Sequence, residues 1–448
     1  MHNFLLVMMN PTRPDKGGTL GRSIKVHANI FPVSKLAATT AYQYDVTVEP
    51  DLPPAKARLA WMQFELVLNK KNGPTCLIYD GQKQAFGVSR LVETKASVYI
   101  LKDPIVNIPP ISANRPSSSG RGGRGRGGGD RGRGRGRGGS QGGSAPAVQP
   151  TLSLAWTPPK ETPEKSKEGE TEKITITIKE VAVVDFHHLM QFMQGKAPET
   201  SQSMTGAMVL NILLRHVPSM LFVPVGSNFF TPEGRIPMVG GLEIWRGYHQ
   251  SALSLMAGHL GINIDLASCV FQKGSISVLD FLLEVFGVQS VEELGKVPRV
   301  LVRITEVLKG VVVVTTHRPG IRNRFKVAKI RDTPNKYFFD CDGKKINVTQ
   351  YFKSTYNINL RYPDLPIAWK QNGKTGFPLE CLEIVPAQRV TKKLNPDQTA
   401  DMIRATTQKP GDRKRSIESA VKNSLKYQNN PYLQSFGMQS IIILFSIK

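Results

Sequence analysis

Cationic, aromatic and hydroxyl side chains alternate in the last third of the sequence. A strand-like run of valines and threonines, 311–316, leads to His317 and then to a basic run, 318–326. An aromatic run, 337–339, and a run with two tyrosines, 351–356, come next. Ammonium and guanidinium groups take phosphates, rings stack on bases, and phenolic hydroxyls reach sugar or phosphate oxygens. The mixture indicates an oligonucleotide-binding surface; a basic β-domain with an ordinary aromatic core is the alternative.

Length and charge fit such a surface. The chain has 448 residues and a formal net charge of +24. The length predicts about two to four domains, and the charge attracts nucleic acid or an anionic membrane surface. Cys76, Cys269, Cys341 and Cys381 lie singly, so we expect reduced thiols and no zinc site. No apolar run reaches the roughly 18 residues that span a bilayer, so we expect a soluble chain without a membrane partner.

Hydrophobic periodicity predicts an α+β organisation. Alternating residues predict strands at 24–28, 42–48 and 174–178. Helical spacing predicts helices at 55–68, 184–195, 208–214 and 278–288.

A tract rich in arginine and glycine, Ser117–Ser144, interrupts this pattern. Its arginines are Arg121, Arg124, Arg126, Arg131, Arg133, Arg135 and Arg137. With no apolar residue to bury, the tract cannot fold alone. We interpret it as an RGG-type segment that binds RNA non-specifically or becomes arginine-methylated, and a solvated flexible linker is the alternative.

The order of the residues resembles that of Argonaute proteins. The run 351–366, Tyr-Phe-Lys-Ser-Thr-Tyr-Asn-Ile-Asn-Leu-Arg-Tyr-Pro-Asp-Leu-Pro, resembles the PAZ domain of that family, and 377–381 closes the unit in the same way. Upstream, 224–230 and 245–251 resemble the first linker of Argonautes. Downstream, 394–413 resembles the second linker.

The resemblance implies an α+β multidomain fold, with an N domain of antiparallel strands and helices. It also implies a PAZ domain built as an OB-like small β-barrel with an αβ insertion. The implied divisions are an N-terminal extension 1–20, an N domain 21–172 interrupted by a disordered Arg/Gly-rich tract 115–172, linker 1 at 173–272, the PAZ domain at 273–388, linker 2 and the approach to MID at 389–437, and an atypical tail 438–448.

The resemblance also implies a site for the 3′ end of a small guide RNA. There, His317 hydrogen-bonds the terminal phosphate region, and Tyr351 and Tyr356 contact the last backbone phosphates. Phe339, or alternatively Phe338, stacks on the terminal nucleotide. The other expected 3′-end residues are Arg322, Arg324, Phe325, Lys326 and Phe377. Met402 and Ile403 match an apolar pair that abuts the guide seed region, and helix packing is an equal alternative for them.

The chain departs from the family pattern at several of these positions. Asn323, Phe325 and Lys326 stand where many members have Arg, Tyr and Arg. Thr355 replaces a frequent Lys, and Gly376 a frequent aromatic residue. Cations expected to compensate are Arg322, Arg324 and Lys353. We therefore expect 3′-end binding to persist in weakened form.

These observations predict a non-catalytic, RNA-binding Argonaute-like protein of RNA silencing, in the cytoplasm and in addition the nucleus. Its expected partners are a single-stranded guide RNA (siRNA or miRNA-like), target RNA and silencing-complex proteins, with no cofactor and no metal. Two-metal RNA cleavage needs several converging carboxylates, and we expect no such set, since the resemblance stops where the family enters MID. A truncated gene model or splice form is the expected cause. The alternative function is a general RGG-type RNA-binding or scaffold protein with a vestigial PAZ pocket.

Overall fold

The computed structural model describes residues 26–101, 171–194, 196–255, 259–318, 321–425, 427, 430–440 and 446–447. Helices and strands are mixed along these residues, and every strand pair in them is antiparallel. The expected α+β class is confirmed. Within these ranges, no helix combines the length and apolar character that crossing a membrane requires.

A five-stranded sheet covered on one face by a long helix forms the first unit. The elements of this region are β1 (Val26–His27), β2 (Ile30–Leu36), β3 (Thr40–Glu49), α1 (Pro54–Asn72), β4 (Ile78–Tyr79), β5 (Gln84–Gly87), β6 (Thr94–Leu101) and β7 (Thr171–Asp185). The sheet has the order β4-β5-β3-β7-β6. Successive strand residues point to opposite faces, so β7 buries Ile174, Ile176 and Ile178 in one core with Trp61 and Phe64 of α1.

The first unit continues past its expected end at residue 172. β7 pairs with β3 on one side and β6 on the other, whereas the sequence analysis placed 173–272 in linker 1. Local alternation identifies a strand but not its partners, which explains the difference. Leu101 and Thr171 are direct partners in the β6–β7 ladder. Residues 102–170 therefore connect two neighbouring strands of one hairpin.

A long helix on a second, larger sheet forms the next unit. Its elements are α2 (His187–Met193), α3 (Ser201–Leu221), β8 (Val223–Val225), β9 (Asn228–Met238), β10 (Leu242–Leu255) and β11 (His259–Gln272). α3 begins at a capping box between Thr200 and Ser203. It is longer than the helix expected at 208–214. The helix expected at 184–195 begins three residues later, as α2, because β7 continues through Asp185.

Two small sheets around one core form the third unit. Its elements are β12 (Ile276–Ser277), α4 (Val278–Phe286), α5 (Val291–Lys296), α6 (Val300–Leu308), β13 (Val312–Thr315), β14 (Arg324–Lys326), β15 (Lys329–Arg331), β16 (Phe338–Cys341), β17 (Lys344–Asn347), α7 (Val348–Tyr356), β18 (Ile367–Trp369), β19 (Gly376–Pro378), a 3₁₀ turn (Leu379–Cys381) and β20 (Leu382–Ile384). The sheets β12-β20-β13-β14 and β15-β18-β19 share one hydrophobic core. The β16–β17 hairpin and α7 form an insertion with a smaller core of its own.

The C-terminal segment returns to the large sheet. Its elements are β21 (Gln388–Arg389), α8 (Pro396–Thr406), α9 (Pro410–Ser419), a π-helical turn (Ala420–Ser424), α10 (Pro431–Ser435), β22 (Met438–Ser440) and β23 (Ser446–Ile447). β22 pairs with β2, so the large sheet has the order β22-β2-β11-β10-β9-β8, and β21 pairs with β11. The expected tail 438–448 therefore begins as a strand of this sheet.

Gln388 joins the large sheet to the third unit. Its backbone lies in β21 and pairs with β11. Its side-chain Oε1 accepts a hydrogen bond from Val312 N at 2.6 Å, and its Nε2 donates to the carbonyl oxygens of Val312 and Val385 at 2.7 and 2.6 Å. Nearby, Gly241 has φ +70°, and a Cβ at this position would collide with the ring of Phe281 in α4. The two units are thus in close contact.

A buried carboxyl joins α1 to α10. The Tyr432 hydroxyl donates a hydrogen bond to Glu65 Oε2 at 2.6 Å, and the Tyr432 ring packs edge-on against His216 at 4.5 Å between centroids. Burial raises the pKa of Glu65 from 4.5 to about 7, and burial lowers the pKa of His216 to about 3. Between about pH 3 and about pH 7, both groups are therefore held in their neutral forms.

We expect Glu65→Gln to reduce the pH dependence of stability. Because the pKa of Glu65 is higher in the folded than in the unfolded chain, its contribution is fully present below pH 4.5 and is lost as pH rises through about 7. This group alone should lower the free energy of unfolding by about 3 kcal/mol across that window. Thermal melting of both proteins between pH 5 and pH 8 measures this. An exposed control, Glu93→Gln, should melt like the parent; an E65Q profile parallel to the parent would contradict the assignment.

Candidate nucleic-acid interface

His317 follows the end of β13 in the third unit. β13 lies between β14 and β20, and its last residue, Thr315, is fully buried and accepts a hydrogen bond from the backbone N–H of Asn323 through Oγ1. The strand is therefore fixed up to two residues before the imidazole. The His317 side chain is half-buried.

Helix α7 supplies the two predicted tyrosines. It begins at a capping box between Asn347 and Gln350, and it ends at Asn357, which has φ +57°. Phe352 faces the insertion core. Tyr351 and Tyr356 are half-buried, and their ring centroids are 5.6 Å apart. The helix thus presents both phenol rings at the edge of the core.

Seven rings from separate elements pack together, and we call them the aromatic cluster. Its members are His317, Phe325, Phe339, Tyr351, Phe352, Tyr356 and Phe377. The His317 ring centroid lies 4.9 Å from that of Tyr356 and 5.5 Å from that of Phe377. Phe377 lies 5.4 Å from Phe325, and Tyr351 lies 5.4 Å from Phe339. The structure therefore brings together the rings named from the sequence.

The two neighbouring phenylalanines of β16 face opposite ways. Phe339 is half-buried and packs with the insertion core, whereas Phe338 is 49% exposed. Successive strand residues alternate between faces, so only Phe339 joins the aromatic cluster.

The centre of the aromatic cluster is neutral at physiological pH. Burial, and secondarily the charge of Arg318, lowers the pKa of His317. Burial raises the pKa of Tyr356, and hydrogen bonding with Tyr351 adds to this effect. His317 Nδ1 is buried and has no hydrogen-bond partner among the described residues. The Nδ1 atom is therefore not engaged by any other described residue.

None of the predicted cations takes part in the described cation–ring contacts of the aromatic cluster. Arg324 and Lys326 are exposed on the face of β14 opposite Phe325. Arg322 Nη2 lies 2.6 Å from Glu383 Oε2 in an ion pair. The lysine at position 353 is exposed on α7.

Two other cations lie against the aromatic cluster, and the sequence analysis missed them as site residues. The Arg318 guanidinium carbon is 5.9 Å from the Tyr356 ring centroid. Lys370 Nζ is 5.4 Å from the centroid of Phe325 and 5.6 Å from that of Phe377. Arg318 could have been found from its position next to His317. No local signal marks Lys370, because the β18–β19 hairpin brings it to the rings.

The remaining predicted residues are separate from this cluster. Met402 packs partly buried against the core beneath β9 and β10, whereas Ile403, next to it on α8, is 60% exposed. The predicted Arg/Gly contacts Arg121, Arg124, Arg126, Arg131, Arg133, Arg135 and Arg137 lie outside the described residues. Where the structure describes the chain, no three His, Cys, Asp or Glu side chains are grouped to hold a metal ion.

Three family models match successive parts of the chain. The N-terminal domain of argonaute matches residues 22–214, the Argonaute linker 1 domain matches 224–273, and the PAZ domain matches 279–403. The chain belongs to the Argonaute family. Its matched parts are those of the N-terminal half of an Argonaute.

Two rice proteins are similar to this Argonaute chain along nearly its whole length. Protein argonaute 1A of Oryza sativa subsp. japonica is 29% identical over 441 residues, which cover 96% of this chain and 35% of the rice protein. Protein argonaute 12 of the same organism is 28% identical over 442 residues, which cover 96% and 36%. The chain thus spans about a third of the length of these relatives.

Solved structures give more distant matches. Kluyveromyces polysporus Argonaute with a guide RNA has 14% identity and a TM-score of 0.48, over 95% of this chain and 45% of that one. The Drosophila Argonaute 2 PAZ domain, described as recognising nucleic-acid 3′ ends, has 23% identity and a TM-score of 0.22, over 25% of this chain and 96% of that one.

The ion pair between Arg322 and Glu383 predicts different effects on RNA affinity when one or the other partner is substituted. Arg322→Ala should change the affinity for a single-stranded RNA by less than about twofold, because Glu383 already neutralises that charge. Glu383→Gln should raise the affinity by about twofold, because it frees the guanidinium. Fluorescence anisotropy at fixed salt measures both. If Arg322→Ala weakens binding while Glu383→Gln does nothing, the ion pair does not withhold this cation from RNA.

Proposed function

We propose that the aromatic cluster binds the 3′ end of a single-stranded small guide RNA, of the siRNA or miRNA type. The observation that carries the proposal is the close packing of His317, Tyr351 and Tyr356. The ring centroid of Tyr356 lies 4.9 Å from that of His317 and 5.6 Å from that of Tyr351. They come from a strand end and from a helix of a separate insertion. Membership of the Argonaute family supports the same assignment, since the PAZ match includes all three residues.

The chemistry of the aromatic cluster suits an unpaired terminus. Half-buried rings offer stacking surfaces, and each stacked base is worth roughly 1–3 kcal/mol. Burial raises the pKa of Tyr356, so its O–H group is kept as a donor, and the hydroxyls of Tyr351 and Tyr356 are suited to donate to phosphate or sugar oxygens. Phe325 contributes a ring without a hydroxyl, so binding is weaker than it would be with a tyrosine there.

The wider role that we propose is RNA silencing, with target RNA and other silencing-complex proteins as further partners. Binding the guide, rather than cutting a target, is the activity proposed for this chain, in the cytoplasm and also the nucleus. For Met402 and Ile403 we propose divided roles: Met402 supports α8 through the core, and the exposed Ile403 contacts the guide seed region.

Blocking the 3′ end of the RNA should weaken binding to the full chain. The same labelled single strand with a free 3′ hydroxyl should bind about tenfold more tightly than one ending in a neutral propyl group, since the blocked terminus cannot seat its last base among the rings. Phe339→Ala should remove this preference, and its neighbour Phe338→Ala is the matched control because that ring faces away. Equal affinity for the two ends would contradict the proposed function.

Deleting residues 117–144 separates the proposal from the alternative of a general RGG-type protein. Non-specific binding carried by an Arg-rich tract depends on phosphate contacts. We expect the deletion to lower total RNA affinity and salt dependence while leaving the preference for a free 3′ end unchanged. Anisotropy titrations of both proteins at two salt concentrations measure this. Loss of nearly all RNA binding would favour the RGG alternative.

A further inference from the structure

Strand β6 forms one edge of the five-stranded sheet. It pairs with β7 along eight residues, Thr94–Leu101, with no shift of register. On its other side no described residue pairs with it, and its backbone groups form no hydrogen bond with any other described backbone group. In an antiparallel strand, every second residue directs both its N–H and its C=O to the same side. β6 therefore presents a row of unpaired donors and acceptors.

This edge lacks the usual protection against strand addition. Natural proteins protect an edge with a very short strand, a proline, a bulge or several charges. The opposite edge of the sheet, β4, has only two residues. β6 has eight residues, contains no proline and carries a single charged side chain, Lys95. It therefore has the properties of a strand that accepts an extended segment of a partner.

The face of β6 that lies under α1 is apolar. Val98 and Ile100 are buried in the core that contains Trp61 of α1, and Ala96 packs against that core. Residues directly opposite each other on neighbouring strands lie on the same face. Every second side chain of an added strand would therefore lie beside these residues of β6, where an apolar side chain is removed from water.

The opposite face of β6 and β7 carries hydroxyls and cations. Ser97 Oγ and Thr175 Oγ1 lie 3.4 Å apart across the ladder, and Tyr99, which is 55% exposed, is the partner of Lys173. Alternation places three exposed lysines on this face, namely Lys95, Lys173 and Lys179. None of them forms an ion pair with another described residue. The face beside the unpaired edge is therefore positively charged.

The nearby acids do not neutralise these lysines. Glu172 of β7 is paired with a lysine of α1, and Glu180 Oε2 lies 2.8 Å from Arg90 Nε. Asp45 and Glu49 of β3 share the face of the lysines, but β7 and β6 lie between them and the unpaired edge. Opposite charges on neighbouring strands stabilise their pairing. Acidic side chains on this face of an added strand would therefore complement the lysines.

Nucleic acid and a second copy of this chain suit the edge less well. RNA has no alternating N–H and C=O groups, so it would leave the row of backbone groups unpaired. Two copies of a chain with a formal net charge of +24 repel each other. An extended acidic peptide satisfies the backbone groups and the lysines together.

We propose that β6 is a docking edge for an extended segment of a partner protein, in which apolar residues alternate with Asp or Glu. The segment joins the sheet as a sixth strand. Its apolar side chains continue the core under α1, and its carboxylates lie beside Lys95, with Lys173 one strand further. This interface lies in the first unit, at the base of the hairpin that contains residues 102–170, and it is distinct from the aromatic cluster.

A labelled eight-residue peptide that repeats Val-Glu tests this with the full chain. The control peptide has the same composition in the order Val-Val-Glu-Glu, so its two residue types do not separate onto opposite faces of a strand. We expect the alternating peptide to bind about tenfold more tightly in fluorescence anisotropy titrations. Lys95→Glu should weaken its binding about fivefold. Lys196→Glu, at an exposed lysine outside the sheet, changes the net charge equally and should bind like the parent.

N-methylated peptides distinguish strand addition from attraction between charges. In the alternating peptide, the valine amides point to one edge of the strand and the glutamate amides to the other. Methylation of one set should abolish binding, and methylation of the other set should change the affinity by less than about twofold. Equal effects of the two methylations would overturn the inference. Because this comparison uses the parent protein, it does not depend on the folding of a variant.

The remaining outcomes are also decisive. Equal binding of the two peptide orders, or equal weakening by Lys95→Glu and Lys196→Glu, would reflect general surface charge and would contradict the inference. If Lys95→Glu weakens RNA binding while the alternating peptide does not bind, the face is an RNA surface instead. A dimer in sedimentation velocity that the peptide disperses would assign the edge to a second copy. Melting curves exclude unfolding of each variant as the cause.

Discussion

The ring of Phe377 belongs to two hydrophobic cores, that of the two small sheets and that of the insertion. It contacts Phe325 of β14 on one side and His317 on the other. Because packed interiors have few voids and transmit displacements, this shared ring sets the position of α7 relative to the end of β13. The side chains that we propose as ligand-binding residues therefore include the ones that join the insertion to the sheets.

Burial divides the electrostatic roles in the aromatic cluster. The His317 imidazole and the Tyr356 phenol are kept neutral because desolvation disfavours their charged forms, which lowers the pKa of the first and raises the pKa of the second. Charge is supplied by Arg318 and Lys370, whose charged groups lie over the rings of Tyr356 and Phe325. A neutral centre with cations at its rim allows rings to stack on bases without a buried charge that would need its own counter-ion.

The sequence predicts the rings of this site better than its cations. Rings are positioned by helix α7 and by strands whose periodicity can be read locally, and the family resemblance named them. Alternation along β14 could have placed Arg324 and Lys326 opposite Phe325, but their charge suggested a role at the same face. The pairing of Arg322 with Glu383, 61 residues away, and the approach of Lys370 through a hairpin depend on tertiary contacts that no local pattern contains. The same limitation explains β7, whose alternation identified a strand but not the sheet to which it belongs.

The side chain of Gln388 has a consequence for domain movement. Its backbone continues the large sheet while its amide makes three hydrogen bonds to Val312 and Val385. A rotation of the third unit about this connection would have to break all three hydrogen bonds at once. Each broken bond would leave a backbone N–H or carbonyl group without its partner. Rotation of the third unit as a rigid body is therefore resisted at one glutamine. A strand held by the aromatic cluster, as we propose, would leave it in a direction set relative to the large sheet.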